Sequence, residues 1–507
     1  MSNTGKATAD ATKAFLEKFS SHQFNVLGKT GLHVSGVGFG TYRVDVSVDH
    51  HHDAMHLAIK EGVNIIDTSS NYAEGLSEEL VGDVLNIQIA DDNIKREDIV
   101  IVSKGGYIQG QLYITSQELK TKNETFPELV EYSQGLEHCI HPKFLESQLD
   151  ESLKRLHIDC IDVYLLHNPE YYLSASKLNK APIEEARSEY YRRIKVAFEY
   201  LESEVTAGRI QHYGVSSNTF INNKEDADFT SLSKLIEIAE SISNNHHFSV
   251  IQCPLNLFET GALIEPNQNA STKMIDLAIE KNIGVLINRP LNAITRSNKL
   301  IRLTDFWPED ELSSLELQDG VNQLMAFENS WDGLNLEDSI DPQIVKDVQV
   351  LFTLGSELQQ TWDTFEGYEY WKEALTQYIL PRVEFGISVL TNANDFTNDQ
   401  QIWFEEYLSI INDLIKELSN YYKSISSARS HRLRAILLNN LNEVDTGQTL
   451  SQLALKIYLS IEGISSVLVG MRQTNYVTDI IIELKNKHSK DIDIKWKELE
   501  INLVNAL

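Results

Sequence analysis

Asn64-Ile65-Ile66-Asp67-Thr68-Ser69-Ser70-Asn71-Tyr72 decides the fold: an apolar run ends on a carboxylate, and a phenol follows five residues later. Lys104, His167, Ser217, Asn218, Gln252 and Arg472 stand in the same kind of place, just after a short apolar run. In an α/β chain such places are the carboxyl ends of parallel strands. Residues from many strands meet in one pocket only if those ends share a face.

Outward from that stretch the alternation is regular. Val26 to Ser35, around Gly28-Lys29-Thr30-Gly31, reads as a β-hairpin. Strands are predicted at Val34 to Gly40, up to Asp67, at Asp98 to Lys104, Cys160 to His167, Ile210 to Ser216, Phe248 to Cys253, Gly284 to Asn288 and Ser465 to Val469. Helical patterns lie between and after them, for example Pro142 to Leu156 and Thr449 to Ser460. Eight strand–helix units joined by right-handed crossovers close a (β/α)8 barrel of the TIM type.

The rhythm breaks between Arg289 and Gln448, where about 150 residues replace a loop of usually ~2–6. Five of the six tryptophans lie in this stretch, and so much aromatic surface predicts a folded region. Trp403, Tyr407, Ile411, Leu414, Leu418 and Tyr421 recur at spacings of three and four, so a bundle of four or five helices is expected. The expected domains are an extension at 1–21, the barrel at 22–290, a helical insertion between strand 7 and helix 7 at 291–447, and completion of the barrel at 448–507. Shorter excesses follow Lys104 and His167. All three additions leave from strand ends, on the face where they can wall a pocket.

Hydrophobic residues make up 42%, ordinary for a globular chain, and no apolar run is long enough to span a bilayer, so no membrane partner is expected. A formal net charge of −30 repels nucleic acid and anionic lipid, which excludes a nucleic-acid partner and leaves an anionic cofactor dependent on local cations. Cys139, Cys160 and Cys253 are odd in number and far apart, which points to a reducing, cytoplasmic compartment. Met1 to Ser21 lacks the apolar centre of a signal peptide and reads as a leader, partly helical or disordered. His50, His51, His52 and His56 read as a solvated helix start, and no metal is expected. There is no Gly-x-Gly-x-x-Gly run between strand and helix, so a Rossmann site is not indicated.

Asp67, Tyr72, Lys104 and His167 form a coherent chemical set. An ammonium beside the phenol is expected to lower its pKa from ~10, and Asp67 to hold that lysine protonated and aimed. His167 is suited to hydrogen-bond a carbonyl oxygen while hydride reaches its carbon.

Gly62 to Tyr72, Ser103-Lys104, Asp162 to Pro169 and Tyr213 to Asn218 together resemble the aldo-keto reductase family, over about residues 22–290 and 448–487. The resemblance implies carbonyl reduction of a small-molecule aldehyde or ketone with NADP, NAD being the alternative. Tyr72 would be the general acid, tuned by Lys104 and Asp67, with His167 placing the carbonyl. It further implies that Ser217, Asn218 and Gln252 hold the nicotinamide carboxamide and that Thr41 lies near the nicotinamide ribose. Gly470 and Arg472 would meet the 2′-phosphate and Asp479 the adenine. Where the family stacks an aromatic on the nicotinamide, this chain has Asn288 and Arg289; Tyr476 replaces a frequent second cation; and the cofactor-covering loop has become the insertion, which could instead make an oligomer contact. A cofactor-sensing interaction protein, like the potassium-channel β subunits that share this resemblance, is the competing class.

Overall fold

The computed structural model describes residues 3–269, 271–295, 299–309, 314–338, 340–393, 396–441, 447–486, 488 and 494–507. The chain forms two compact units, one from Met1–Lys299 and Asn440–Asn505, the other from Leu300–Asn439 and Ala506–Leu507.

In the first unit eight parallel strands close a barrel: β3 (Val37–Gly40), β4 (Ile65–Asp67), β5 (Val100–Gly105), β9 (Ile161–His167), β10 (Ile210–Ser216), β11 (Phe248–Pro254), β12 (Gly284–Asn288) and β15 (Ser466–Val469), with β15 pairing back onto β3. The alternating helices include α2 (Asp49–Lys60), α3 (Leu76–Ala90), α5 (Pro142–Leu156), α7 (Ile183–Thr206), α8 (Leu232–Ile242), α10 (Met274–Glu280), α17 (Leu450–Leu459) and α18 (Thr474–Leu484). Local chemistry sets their limits. Pro142 opens α5, while Thr449 and Gln452 cap α17 reciprocally, each side chain bonding the other's backbone N–H. Gly214 is required where β10 bulges against β11, because a Cβ there would lie 1.8 Å from the Val250 carbonyl oxygen.

The amino-terminal mouth is plugged. Strands β1 (Phe24–Val26) and β2 (His33–Ser35) pair antiparallel, and Leu27, Leu32 and Val34 join Ile65, Val100, Val102, Val163, Leu165, Val250, Leu286 and Leu468 in one core. The leader contributes α1 (Ala9–Glu17) and sends Ala7 into that same core. Met1 and Ser2 lie outside the described residues.

At the other end, the long connection after β5 folds as β6 (Tyr107–Ile108), α4 (Gly110–Thr121), β7 (Val130–Ser133) and β8 (Leu136–His138), with the three strands in one antiparallel sheet. The connection after β9 holds α6 (Tyr171–Leu178) and that after β11 holds α9 (Gly261–Ile264), while β13 (Asn292–Ile294) and β14 (Leu300–Arg302) follow β12 in the chain.

The second unit carries α11 (Ser314–Glu328), α12 (Pro342–Gln349), α13 (Leu354–Thr361), α14 (Tyr368–Ala374), α15 (Leu380–Ala393) and the 43-residue α16 (Asn398–Asn440). Its core is aromatic: Trp331, Phe352, Trp403, Phe404 and Tyr407 pack together, and the Trp403 and Tyr407 rings stack at 5.2 Å. Three of the buried indole N–H groups find side-chain acceptors, Trp403 on Ser330, Trp371 on Ser419 and Trp362 on Gln318. The periodic stripe on α16 runs through Tyr422, fully buried, and on to Leu433 and Leu437, while Tyr421 is half-buried and packs against the same core.

Candidate active site

Barrel register brings the expected side chains together before any loop is considered. Gly40 pairs with Asp67, His167 with Ser216, and Ser216 with Gln252, so five strands present residues at or near their carboxyl ends.

Lys104, 0% exposed, spends all three ammonium hydrogens: on Asp67 Oδ2 (2.8 Å), the Thr68 carbonyl (2.8 Å) and the Tyr72 hydroxyl (3.3 Å). Its Nζ also lies 4.8 Å from the centre of the Tyr72 ring. His167 meets Tyr72 edge-on, ring centres 5.9 Å apart. Tyr72 itself enters a turn in which Ala73 (φ 46°), Glu74 (φ 55°) and Gly75 (φ 98°) are all left-handed. Non-glycine residues resist that region by ~1–2 kcal/mol each. The turn is tied down where Gln111 N–H donates to the Glu74 carboxylate at 2.9 Å.

The electrostatics correct one expectation. Burial, first, and the Asp67 carboxylate, second, push the Tyr72 phenol well above its ordinary value, so it holds its proton at neutral pH rather than being drawn toward phenolate. Burial also raises Asp67 and lowers Lys104, each opposed by the other's charge. Burial drives His167 well below its usual range, and it is neutral.

A neutral ring donates from one nitrogen only. His167 Nδ1 lies 3.0 Å from Ser69 Oγ, whose hydroxyl also lies 2.7 Å from Asn71 Oδ1. Which acceptor takes the serine proton decides whether the other ring nitrogen carries the hydrogen. His138 Nε2 donates to the His167 carbonyl (2.7 Å), and burial holds His138 down at about 4. Tyr107 packs on His167 at 4.7 Å and accepts from Asn168 Nδ2 at 2.6 Å.

Of the remaining expected residues, Gln252 lies deepest. Its Nε2 donates to Asp67 Oδ1 (2.7 Å), and its Oε1 accepts from Ser216 Oγ (3.0 Å) and Asn288 Nδ2 (3.3 Å). Thr41 N–H donates to the Asp67 carbonyl, and its Oγ1 is buried without a partner among the described residues. Asn218 is held by its backbone N–H, which donates to Glu170 at 2.8 Å. Gly470 has open space where a Cβ would point, α18 starts without a side-chain cap, and the Arg472 charge adds to the effect of burial in lowering the basicity of His51.

Three residues are engaged within the fold instead. Ser217 Oγ lies within 3.2 Å of Thr219 and Thr230; Arg289, left-handed at φ 53°, pairs with Glu259 at 2.7 Å; and Asp479 accepts from Thr449, Ser451 and Gln452 at the start of α17. His52 sits 3.0 Å from the Val46 carbonyl and His56 2.6 Å from the Gln88 amide, each ring facing a local partner.

Sequence reasoning missed Ser69, Tyr107, His138 and Glu170. Glu170 follows His167 by three residues, is 4% exposed, and is pushed by burial to about 7. The available signal was a carboxylate three residues after a strand-end histidine.

A profile of the aldo/keto reductase family matches residues 36–341. Among curated relatives, a 6-dehydroglucose reductase of Novosphingobium aromaticivorans is 27% identical over 205 residues, 39% of this chain and 52% of the relative. An NAD(P)H-dependent D-xylose reductase of Scheffersomyces stipitis is 26% identical over 194 residues, 37% and 50% of the two. The chain thus spans about half the length of the curated relatives it matches. Among solved structures, a glycerol dehydrogenase of Gluconobacter oxydans is 16% identical at a TM-score of 0.46, covering 96% of this chain and 97% of the other.

Proposed function

The chain belongs to the aldo/keto reductase family, and from that premise we propose that it reduces an aldehyde or ketone to the alcohol with a nicotinamide dinucleotide, Tyr72 giving the proton. The family consists of oxidoreductases acting on small-molecule carbonyl compounds. No helix among the described residues is long and apolar enough to cross a membrane.

One observation carries the reading: a single buried ammonium touches both the Asp67 carboxylate and the Tyr72 hydroxyl, with a neutral imidazole beside the phenol. Bound at this mouth, a reduced dinucleotide supplies the hydride. The chain supplies the rest. Tyr72 stays protonated until negative charge grows on the carbonyl oxygen, and then passes its proton to that oxygen. Lys104, kept close by Asp67, offsets the charge left on the phenolate. Ser69, whose hydroxyl donates to Asn71 Oδ1, holds the His167 ring in place through Nδ1.

The cofactor would rest against Thr41, Asn218, Gln252 and Asn288. A phosphate fits Gly470, Arg472 and the uncapped start of α18, where backbone N–H groups and the helix dipole favour an anion. A cation able to bond a phosphate bidentately favours NADP over NAD.

Turnover of an aldehyde panel, followed by loss of reduced-nicotinamide absorbance, tests the reading in wild type and Tyr72→Phe. The expected result is unchanged dinucleotide binding and turnover lower by roughly 100- to 10,000-fold. Equal turnover in the variant rejects Tyr72 as the acid. Tight binding with no turnover in the wild type favours a sensor.

A further inference from the structure

We propose that Gln252 is a positioning residue for Asp67: with Asn288 behind it, it forms a hydrogen-bonded chain that holds the second carboxylate oxygen and thereby keeps the Asp67–Lys104 pair set against Tyr72. This deepens the reductase reading and rests on it for its catalytic consequence, though not for its structural one.

The chain runs across the ends of β12, β11, β4 and β5. Asn288 Nδ2 donates to Gln252 Oε1 at 3.3 Å, Gln252 Nε2 donates to Asp67 Oδ1 at 2.7 Å, and Lys104 Nζ donates to Asp67 Oδ2 at 2.8 Å and to the Tyr72 hydroxyl at 3.3 Å. Gln252 is 1% exposed and Asp67 4%, so water does not offer an alternative donor. Each carboxylate oxygen therefore has one side-chain donor, and they come from opposite sides of the barrel mouth. Removing either leaves a buried anion half-satisfied.

The orientation of the amide is fixed by its neighbours. Oε1 already receives Ser216 Oγ and Asn288 Nδ2, which assigns the oxygen to that side and the NH2 group to Asp67. With both lone pairs of Oε1 engaged and one Nε2 hydrogen on Asp67, a single N–H is left for any cofactor. Gln252 thus faces the carboxylate first, and Asn288 has a structural task at the position where the family places an aromatic ring.

The groups bearing on Asp67 act in known directions. Burial raises its pKa, while the Lys104 charge, the Lys104 hydrogen bond and the Gln252 hydrogen bond lower it, so loss of the Gln252 donor must raise it further. Tyr72 is the remaining ionisable neighbour and is neutral at neutral pH.

The test compares wild type, Gln252→Met, which is close in shape but has no donor, and Asn288→Leu, which leaves Gln252 and its Ser216 donor in place but removes the other donor to its oxygen. The infrared carbonyl band of a protonated carboxyl, identified by its loss in Asp67→Asn, gives the protonation midpoint of Asp67 in the cofactor-free protein. We expect that midpoint to rise by about one pH unit or more in Gln252→Met, in keeping with a hydrogen bond to a charged group. A smaller rise is expected in Asn288→Leu, and the acid limb of the kcat profile should move with it. An unmoved midpoint in both variants overturns the proposal, as does a Gln252→Met variant that only weakens dinucleotide binding in a fluorescence titration. A raised midpoint together with full turnover by Tyr72→Phe leaves the positioning role standing and rejects the reductase mechanism instead.

Discussion

Strand β9 carries Asp162 near one end and His167 at the other, and the two mouths of the barrel treat their buried carboxylates differently. At the amino-terminal mouth Asp162 receives four donors: Ala7 N–H (2.8 Å) and Gln211 Nε2 (2.7 Å) on one oxygen, Arg96 Nη2 (2.9 Å) and Ile101 N–H (2.7 Å) on the other. At the carboxyl-terminal mouth Asp67 has two side-chain donors, and the ammonium it holds reaches on to a phenol at a longer 3.3 Å. Thr41 Oγ1 and Asn288 Oδ1 are left buried without partners among the described residues at that same mouth. A saturated carboxylate has nothing left to offer a ligand. The two ends differ in how fully their carboxylates are bonded, with four donors on Asp162 and two side-chain donors on Asp67.

Breaking each end should separate the two roles. Asp162→Ala strands a buried guanidinium and should cost about 3–5 kcal/mol of stability while the folded fraction keeps its kcat, as denaturant titration beside steady-state kinetics checks. Lys104→Met should do the reverse for chemistry, lowering kcat by roughly 100-fold or more, with the Asp67 anion left unpaired. Gln211→Leu removes one donor of four and should cost about 1–3 kcal/mol, a graded version of the first break. Ser69→Ala frees His167 Nδ1 and should lower kcat/KM by about tenfold with the melting temperature in place, a loss of one hydrogen bond in the transition state.

The last test is of pH dependence and concerns Glu170. Its folded pKa of about 7 lies above the ordinary carboxyl value of 4.5, so the folded state binds a proton that the unfolded chain has lost. Stability should therefore fall as pH rises from about 4.5 to 7, and Glu170→Gln should flatten that fall. Thermal unfolding at pH 5 and pH 8 measures it.

The eight strand ends were readable because apolar runs punctuated by polar residues survive in any barrel. Ile210–Ser216, Gly284–Asn288 and Pro142–Leu156 fall where the pattern put them. The helical stripe of α16 was readable as far as Tyr421, which is half-buried against the same core that Tyr422 enters fully. The competition for polar groups was not readable. Ser217, Arg289 and Asp479 are recognisable as types, but Thr230, Glu259 and Thr449 reach them across the fold. The left-handed turn after Tyr72 was equally hidden, since Ala73 and Glu74 carry no mark of that conformation.

Sequence by itself determined the barrel, its long interruption, and the set of Asp67, Tyr72, Lys104 and His167 at its carboxyl mouth, because periodicity and strand-end position are local properties of the chain. Only the tertiary structure decided how many donors each carboxylate receives, the sign of the shift on Tyr72, and which way the Gln252 amide faces. Those depend on burial and on partners up to 185 residues away, as for Gln252 and Asp67, and electrostatic energy in a low-dielectric interior is set by separations in space.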